Sequence, residues 1–264
     1  MDRSKYLLLG AAAAAAFAFH ASAGRAADPA PPRAAWKWPA RAENLKVLPK
    51  RTTPEQLRSA MMGFTRALGV RCSHCHVGEE GRPLSTYNFA SDRNPKKDVA
   101  RGMVKLVGEI NEELDEIRKE TKLAKSDALN VACVTCHRGL PRPVTLAATL
   151  TRAYTAAGAD SAISAYRSLR SGSYDSGAYD FREPSLEEVG EFAFSRNDTA
   201  GAIKLYELNM RQFPESGRVY ERLARAYLAA GDTVRAATYF QRALNVDPDN
   251  AGAREGFRSL RRQP

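Results

Sequence analysis

Apolar residues recur at helical spacing along most of this chain, and strand-like alternation is weak throughout. The first amphipathic stretch predicts a helix with Thr53 as N-cap, Pro54 in the first turn and Gln56 completing a capping box. Leu57, Met61, Phe64 and Leu68 share one face, and Gly69 ends the run. A second helix is predicted from about Asn94-Pro95. Its stripe of Val99, Met103, Leu106, Ile110, Leu114 and Ile117 is expected to be buried, with Glu109, Glu112, Glu113 and Glu116 on the other side.

From about Leu146 the pattern repeats. Residues 185–214 superpose on 219–248 at an offset of 34, pairing Leu186 with Tyr220, Val189 with Leu223 and Gly190 with Ala224. Ala202 likewise pairs with Ala236, Tyr206 with Phe240 and Pro214 with Pro248. Period and residue types look like tetratricopeptide repeats. Small residues let paired helices approach, aromatics fill the groove between them, and proline closes the second helix. A degenerate earlier unit is expected over about 149–169, and a charged capping helix over about 250–262.

The N-terminus has a different character. Arg3 and Lys5 precede an apolar run from Tyr6 to Phe19, and Ala21-Ser22-Ala23 offers a cleavage site. This predicts a secretory signal peptide over 1–23 and a periplasmic protein; the run is short for a bilayer span. Residues 24–43, rich in Ala and Pro, are expected to form a linker, with Trp36 and Trp38 as docking points. The formal net charge is +10. Between Arg41 and Thr145, 19 basic residues face 13 acidic ones, a surface suited to steering an acidic redox partner. Nucleic acid is not an expected partner, and membrane association is expected only through a partner or an uncleaved signal.

All four cysteines fall in two copies of one pentapeptide, Cys72-Ser73-His74-Cys75-His76 and Cys133-Val134-Thr135-Cys136-His137. Each is C-x-x-C-H, the attachment pattern of c-type haem. Two thiols at this spacing reach two vinyl groups on one porphyrin edge, and the adjacent imidazole becomes the proximal iron ligand. Paired C-x-x-C hooks also suit zinc, and exported cysteines also form disulfides. Neither of those readings explains a histidine directly after the second cysteine twice.

Four histidines limit the ligand sets. His20 leaves with the signal peptide, His76 and His137 are the expected proximal ligands, and only His74 remains. It lies inside the first attachment loop, so bis-histidine ligation of both irons by one mature chain is impossible. Methionine is the next candidate for the sixth position. Met61, on the apolar face of the helix before the first motif, is expected to bind the first iron; a methionine there also suits plain core packing. For the second iron Met103 is the choice, with His74 reaching across or an open sixth position as alternatives.

Residues 61–76 (MMGFTRALGVRCSHCH), 100–114 (ARGMVKLVGEINEEL) and 131–139 (VACVTCHRG) resemble the cytochrome c subunit of photosynthetic reaction centres. The resemblance implies a unit in which a helix carries the axial methionine, a turn follows, and C-x-x-C-H closes. Met61, Cys72, Cys75 and His76 match that unit; Cys133, Cys136 and His137 match its attachment half. That subunit has four haems, whereas this chain has motifs for two and adds a repeat tail. In the four-haem protein the last haem takes a histidine from the half that is missing here.

The expected fold class is therefore mainly α, with a small dihaem c-type cytochrome domain over 44–145 and a tetratricopeptide-like repeat domain over 146–264. Two covalently bound haem c groups make it an electron carrier, not an enzyme, and the tail a module that docks a protein or peptide. The rival readings are a dihaem peroxidase or gas sensor with one open iron, and a scaffold held by zinc.

Overall fold

The computed structural model describes residues 36–260, apart from the side chain of Asp127. The expected signal peptide and most of the expected linker lie outside them. Among the described residues there is no strand, only an isolated bridge between Val77 and Asn88. Everything else regular is helical.

The first helix, α1 (Pro54–Leu68), starts where its caps dictate. The Thr53 hydroxyl accepts from the Gln56 N–H, and the Gln56 side chain accepts from the Thr53 N–H at 2.9 Å. It ends at Gly69, whose φ of 63° is the left-handed conformation glycine takes without strain. The long helix α2 spans Lys96–Glu120, and the short α3, Cys133–His137, is the second C-x-x-C-H motif itself.

The rotation of α2 corrects an expectation. Val99, Met103, Leu106, Ile110 and Ile117 are exposed, Met103 by 37 % and Val99 by 66 %. The half-buried face runs through Ala100, Arg101, Val104, Val107, Asn111, Leu114 and Arg118; apart from Leu114, which keeps its expected place, it lies one residue or about 100° further round. Polar anchors set this rotation. Lys97 Nζ donates to the carbonyls of Phe89, Ala90 and Ser91 at 2.9–3.2 Å, and Asn111 exchanges two hydrogen bonds with Val131. Asp92 completes the clasp, accepting from Asn44 and Lys46 and pairing with Lys97 and Arg101.

The tail is built on other terms. Helices α4 (Leu146–Ser173), α5 (Glu183–Ser195), α6 (Thr199–Gln212), α7 (Gly217–Ala229), α8 (Thr233–Val246) and α9 (Ala251–Leu260) share one continuous apolar core. The pairs related by 34 residues are its centre: Leu186 and Tyr220, Val189 and Leu223, Ala202 and Ala236, Tyr206 and Phe240 are all buried. The caps obey the same period. Asp198 and Asp232 cap α6 and α8, and Ser216 and Asn250 cap α7 and α9. The α4 helix breaks at Ala157 and Gly158, whose φ of 76° turns the chain between its two halves. A Cβ on Gly190 would sit 2.4 Å from the Tyr206 ring, which is why that helix pair needs no side chain there.

Gly190→Ala should destabilise the fold by about 1–3 kcal/mol through overpacking. Gly172→Ala, at a helical site with nothing within 4 Å, should be neutral or stabilising by about 0.5–1 kcal/mol; urea melts of both variants check the pair. Hydrogen bonds, first that from Lys46 and then that from Asn44, hold the Asp92 carboxyl well below the ordinary carboxylate range. A carboxylate with a depressed folded pKa stabilises above its unfolded pKa of about 4, and that contribution fades as pH falls toward the folded value. Asp92→Asn should therefore be less stable than wild type at pH 6, with the gap narrowing steadily below pH 4 in urea melts.

Candidate haem attachment site

The first motif is a tight turn. Cys72–His74 form one 3-10 turn, and His76 N–H donates to the Cys72 carbonyl at 3.0 Å, so both thiols and the imidazole lie within one loop. The next segment folds back to brace it. Asn88 N–H bonds the Val77 carbonyl at 2.8 Å, the Tyr87 hydroxyl reaches the Glu79 carbonyl, and the Phe89 ring meets the His76 ring edge-on at 5.0 Å. Asn94, just before α2, donates to the His74 carbonyl.

Burial keeps the groups of this motif in defined states. The His76 pKa is lowered chiefly by desolvation and then by Lys97, opposed by the Phe89 backbone, with Arg101 lowering it further; this favours the neutral ring. A neutral imidazole is the form that binds a metal. Its Nδ1 is buried without a well-formed hydrogen bond. Burial pushes the Cys75 thiol up, only partly offset by Lys96, so this cysteine is not an activated nucleophile. His74 is half-buried in the same turn, its pKa lowered mainly by burial and then by Lys96.

The second motif is one helical turn. The Thr135 hydroxyl accepts from Ala132 N–H at its start, and Arg138, at a φ of 48°, ends it. His137 is 8 % exposed, and its Nδ1 is bonded to the Leu140 carbonyl at 2.8 Å. A ring that donates from Nδ1 to a carbonyl presents Nε2 as a free, more basic ligand atom. Cys133 is half-buried and Cys136 is exposed.

Two glycines join the motifs. Gly139 N–H donates to the Ala67 carbonyl at 2.8 Å, and a Cβ on Gly69 would fall 2.1 Å from the Gly139 carbonyl oxygen. The end of α1 and the end of α3 are thus in backbone contact. Met61 is half-buried on α1, one turn beyond the buried Leu57, while Met62 is 44 % exposed. Met103 sits on the exposed stripe of α2, not in the protein interior as its periodicity implied.

These residues fit a covalent porphyrin better than the alternatives. All four cysteines are free thiols. Among the described residues no three His, Cys, Asp or Glu side chains converge as metal ligands, so the paired hooks do not assemble a four-cysteine zinc centre. Around the motifs, the buried side chains are few: Leu57, Ala67 and His137. Apolar surface on α2, Leu129 and Val134 faces outward beside them. A flat apolar group tied to both cysteine pairs suits such surroundings. Sequence reasoning missed Asn94, Asn111 and the glycine contact. The signal for Asn111 was a polar residue between Val107 and Leu114 on one face of α2.

Comparison with known proteins agrees with this chemistry. Residues 193–256 match the tetratricopeptide repeat model. A 75-residue stretch, 28 % of the chain, is 37 % identical to cytochrome c-554 of Chloroflexus aurantiacus. That stretch spans 15 % of the relative's own length. The model of the photosynthetic reaction centre cytochrome C subunit matches residues 43–188, more than half of the chain. A protein with two C-x-x-C-H turns braced by α1 and α2, matched over that length, belongs to the photosynthetic reaction centre cytochrome C subunit family.

Proposed function

We propose that the protein is an exported, periplasmic dihaem c-type cytochrome that carries electrons, with its repeat tail as a docking module. The observation that supports this most directly is the pair of C-x-x-C-H turns set in about 100 residues that bury almost no apolar side chains of their own. Haem c, when bound, supplies a one-electron iron couple and needs no substrate bond. Everything else is positioning by the chain. Cys72 and Cys75, and Cys133 and Cys136, hold the two groups covalently. His76 and His137 are the proximal ligands, and the Leu140 carbonyl orients the second imidazole.

On the distal side Met61 is the proposed sixth ligand of the first iron, carried by a helix whose caps fix its start and whose glycine fixes its end. Met103 is the proposed ligand of the second. Its exposed position on α2 places its thioether on a surface that a porphyrin can cover. The basic excess between Arg41 and Thr145 favours approach by an acidic redox partner at low ionic strength.

The test is production in a host with a working cytochrome-maturation system and an export pathway. The holoprotein should be recovered from the periplasm, weigh two haems more than the cleaved polypeptide, and show sharp reduced bands that survive acid-acetone extraction. A colourless protein of bare polypeptide mass refutes the reading. Met61→His should retain both haems and lower one midpoint potential, because a thioether ligand raises the potential relative to imidazole; an unchanged potentiometric titration removes Met61 as a ligand. Met103→Ala should create a CO-reactive iron, read as a shifted Soret band in the reduced protein.

A further inference from the structure

The C-terminal half of α4 and the end of α6 line an open surface cavity of about 350 Å³. Arg167 and Arg170 enter it from α4 and Arg211 from α6, with the Tyr166 hydroxyl, Ser171 and Gln212 as further polar lining. No carboxylate lines it, and none of the three arginines makes an ion pair with a described residue. The tail as a whole is close to neutral, with 16 basic and 15 acidic residues over 146–264, so this cluster is a local excess.

Arg170 is held in place without being neutralised. Its Nη1 donates to the Tyr166 hydroxyl at 3.1 Å, and its guanidinium lies 4.5 Å from the Tyr174 ring centroid and 6.0 Å from those of Tyr166 and Phe181. Aromatic faces fix a cation and leave most of its N–H donors free. The carbonyl ends of α4 and α6 favour cations in their last turns, which steadies Arg170 and Arg211. Those ends offer no bidentate acceptor, and Arg167 and Arg170, three residues apart on one helix, repel. A ligand with several carboxylates relieves that repulsion and matches the guanidinium forks. Leu208 gives the aliphatic stem of a carboxylate side chain an apolar contact on the cavity wall.

We propose that this cavity receives the carboxylate side chains of an acidic peptide segment on a protein partner. The inference deepens, and rests on, the reading of the tail as a docking module; it adds the chemistry of the partner and the place where it sits.

The probe is a fluorescein-labelled hexaglutamate peptide, titrated with full-length holoprotein and followed by anisotropy at low and moderate salt, with a hexaglutamine peptide as reference. Hexaglutamate should bind, hexaglutamine should not, and affinity should fall with salt. The double variant R167Q/R211Q, at two exposed positions that carry no packing load, should weaken binding roughly tenfold or more. R152Q/R258Q, the same charge change elsewhere on the tail, should shift it less than about twofold. Absence of hexaglutamate binding, equal loss in both doubles, or displacement of the peptide by equimolar inorganic phosphate overturns the proposal. A wild type that ignores hexaglutamate yet still cross-links to a periplasmic protein through its repeats loses this cavity and keeps the docking role. An unchanged haem spectrum in every variant separates both outcomes from any failure of the cytochrome reading.

Discussion

The organisation of this molecule rests on one shortage. Between the arm at Asn44 and the start of α4, the chain buries almost none of its own apolar surface, yet it folds a 25-residue helix and two ordered cysteine turns. A domain of that size has little core to spare even when its side chains point inward. Here several of the largest point outward along α2. Polar clasps order this segment: Asp92 with Asn44, Lys46, Lys97 and Arg101, Asn94 with His74, and Asn111 with Val131. A proposed cofactor bonded through four thioethers suits such a frame, because covalent attachment does not depend on a preformed pocket holding it.

The repeat tail reverses that balance. Its core is continuous from Leu146 to Ala253, and α4 belongs to it as fully as α5 to α9 do. The match to the reaction-centre cytochrome family nonetheless runs through α4 to residue 188. The family match and this apolar core therefore overlap over α4, the loop after it and the start of α5. Arg138, directly after the second attachment histidine, acts electrostatically on Asp180 in the loop before α5, a minor part of what brings that carboxyl down to about 2 after its bonds with Arg182.

Much of this was legible from residue order. The Thr53–Gln56 box, Pro54 and Gly69 bracket α1 because capping is local chemistry. The 34-residue period found the repeat core because both copies place the same sizes at the same helical phase. The rotation of α2 was not legible. Its apolar residues cover a wide arc, and periodicity cannot tell which part of a wide arc turns inward when long-range polar bonds decide it. Lys97 and Asn111 reach carbonyls and an amide in loops before and after the helix. No local pattern announces those partners. The same limit hid the contact of Gly69 with Gly139, which joins residues 70 positions apart.

That contact bears on how two attachment units are kept in register. Side chains that meet across an interface have rotamers and tolerate small displacements. A backbone amide on a backbone carbonyl, with a glycine opposite, has far less slack. Gly69 must be a glycine twice over, for its left-handed φ and for the oxygen that would sit 2.1 Å from a Cβ. The helix that carries Met61 therefore ends against the turn that carries Cys133, Cys136 and His137. If each unit is a haem site, as proposed, the geometry between them is set by main chain, and substitutions on the outer faces of α1 and α2 can change surface charge without changing that geometry.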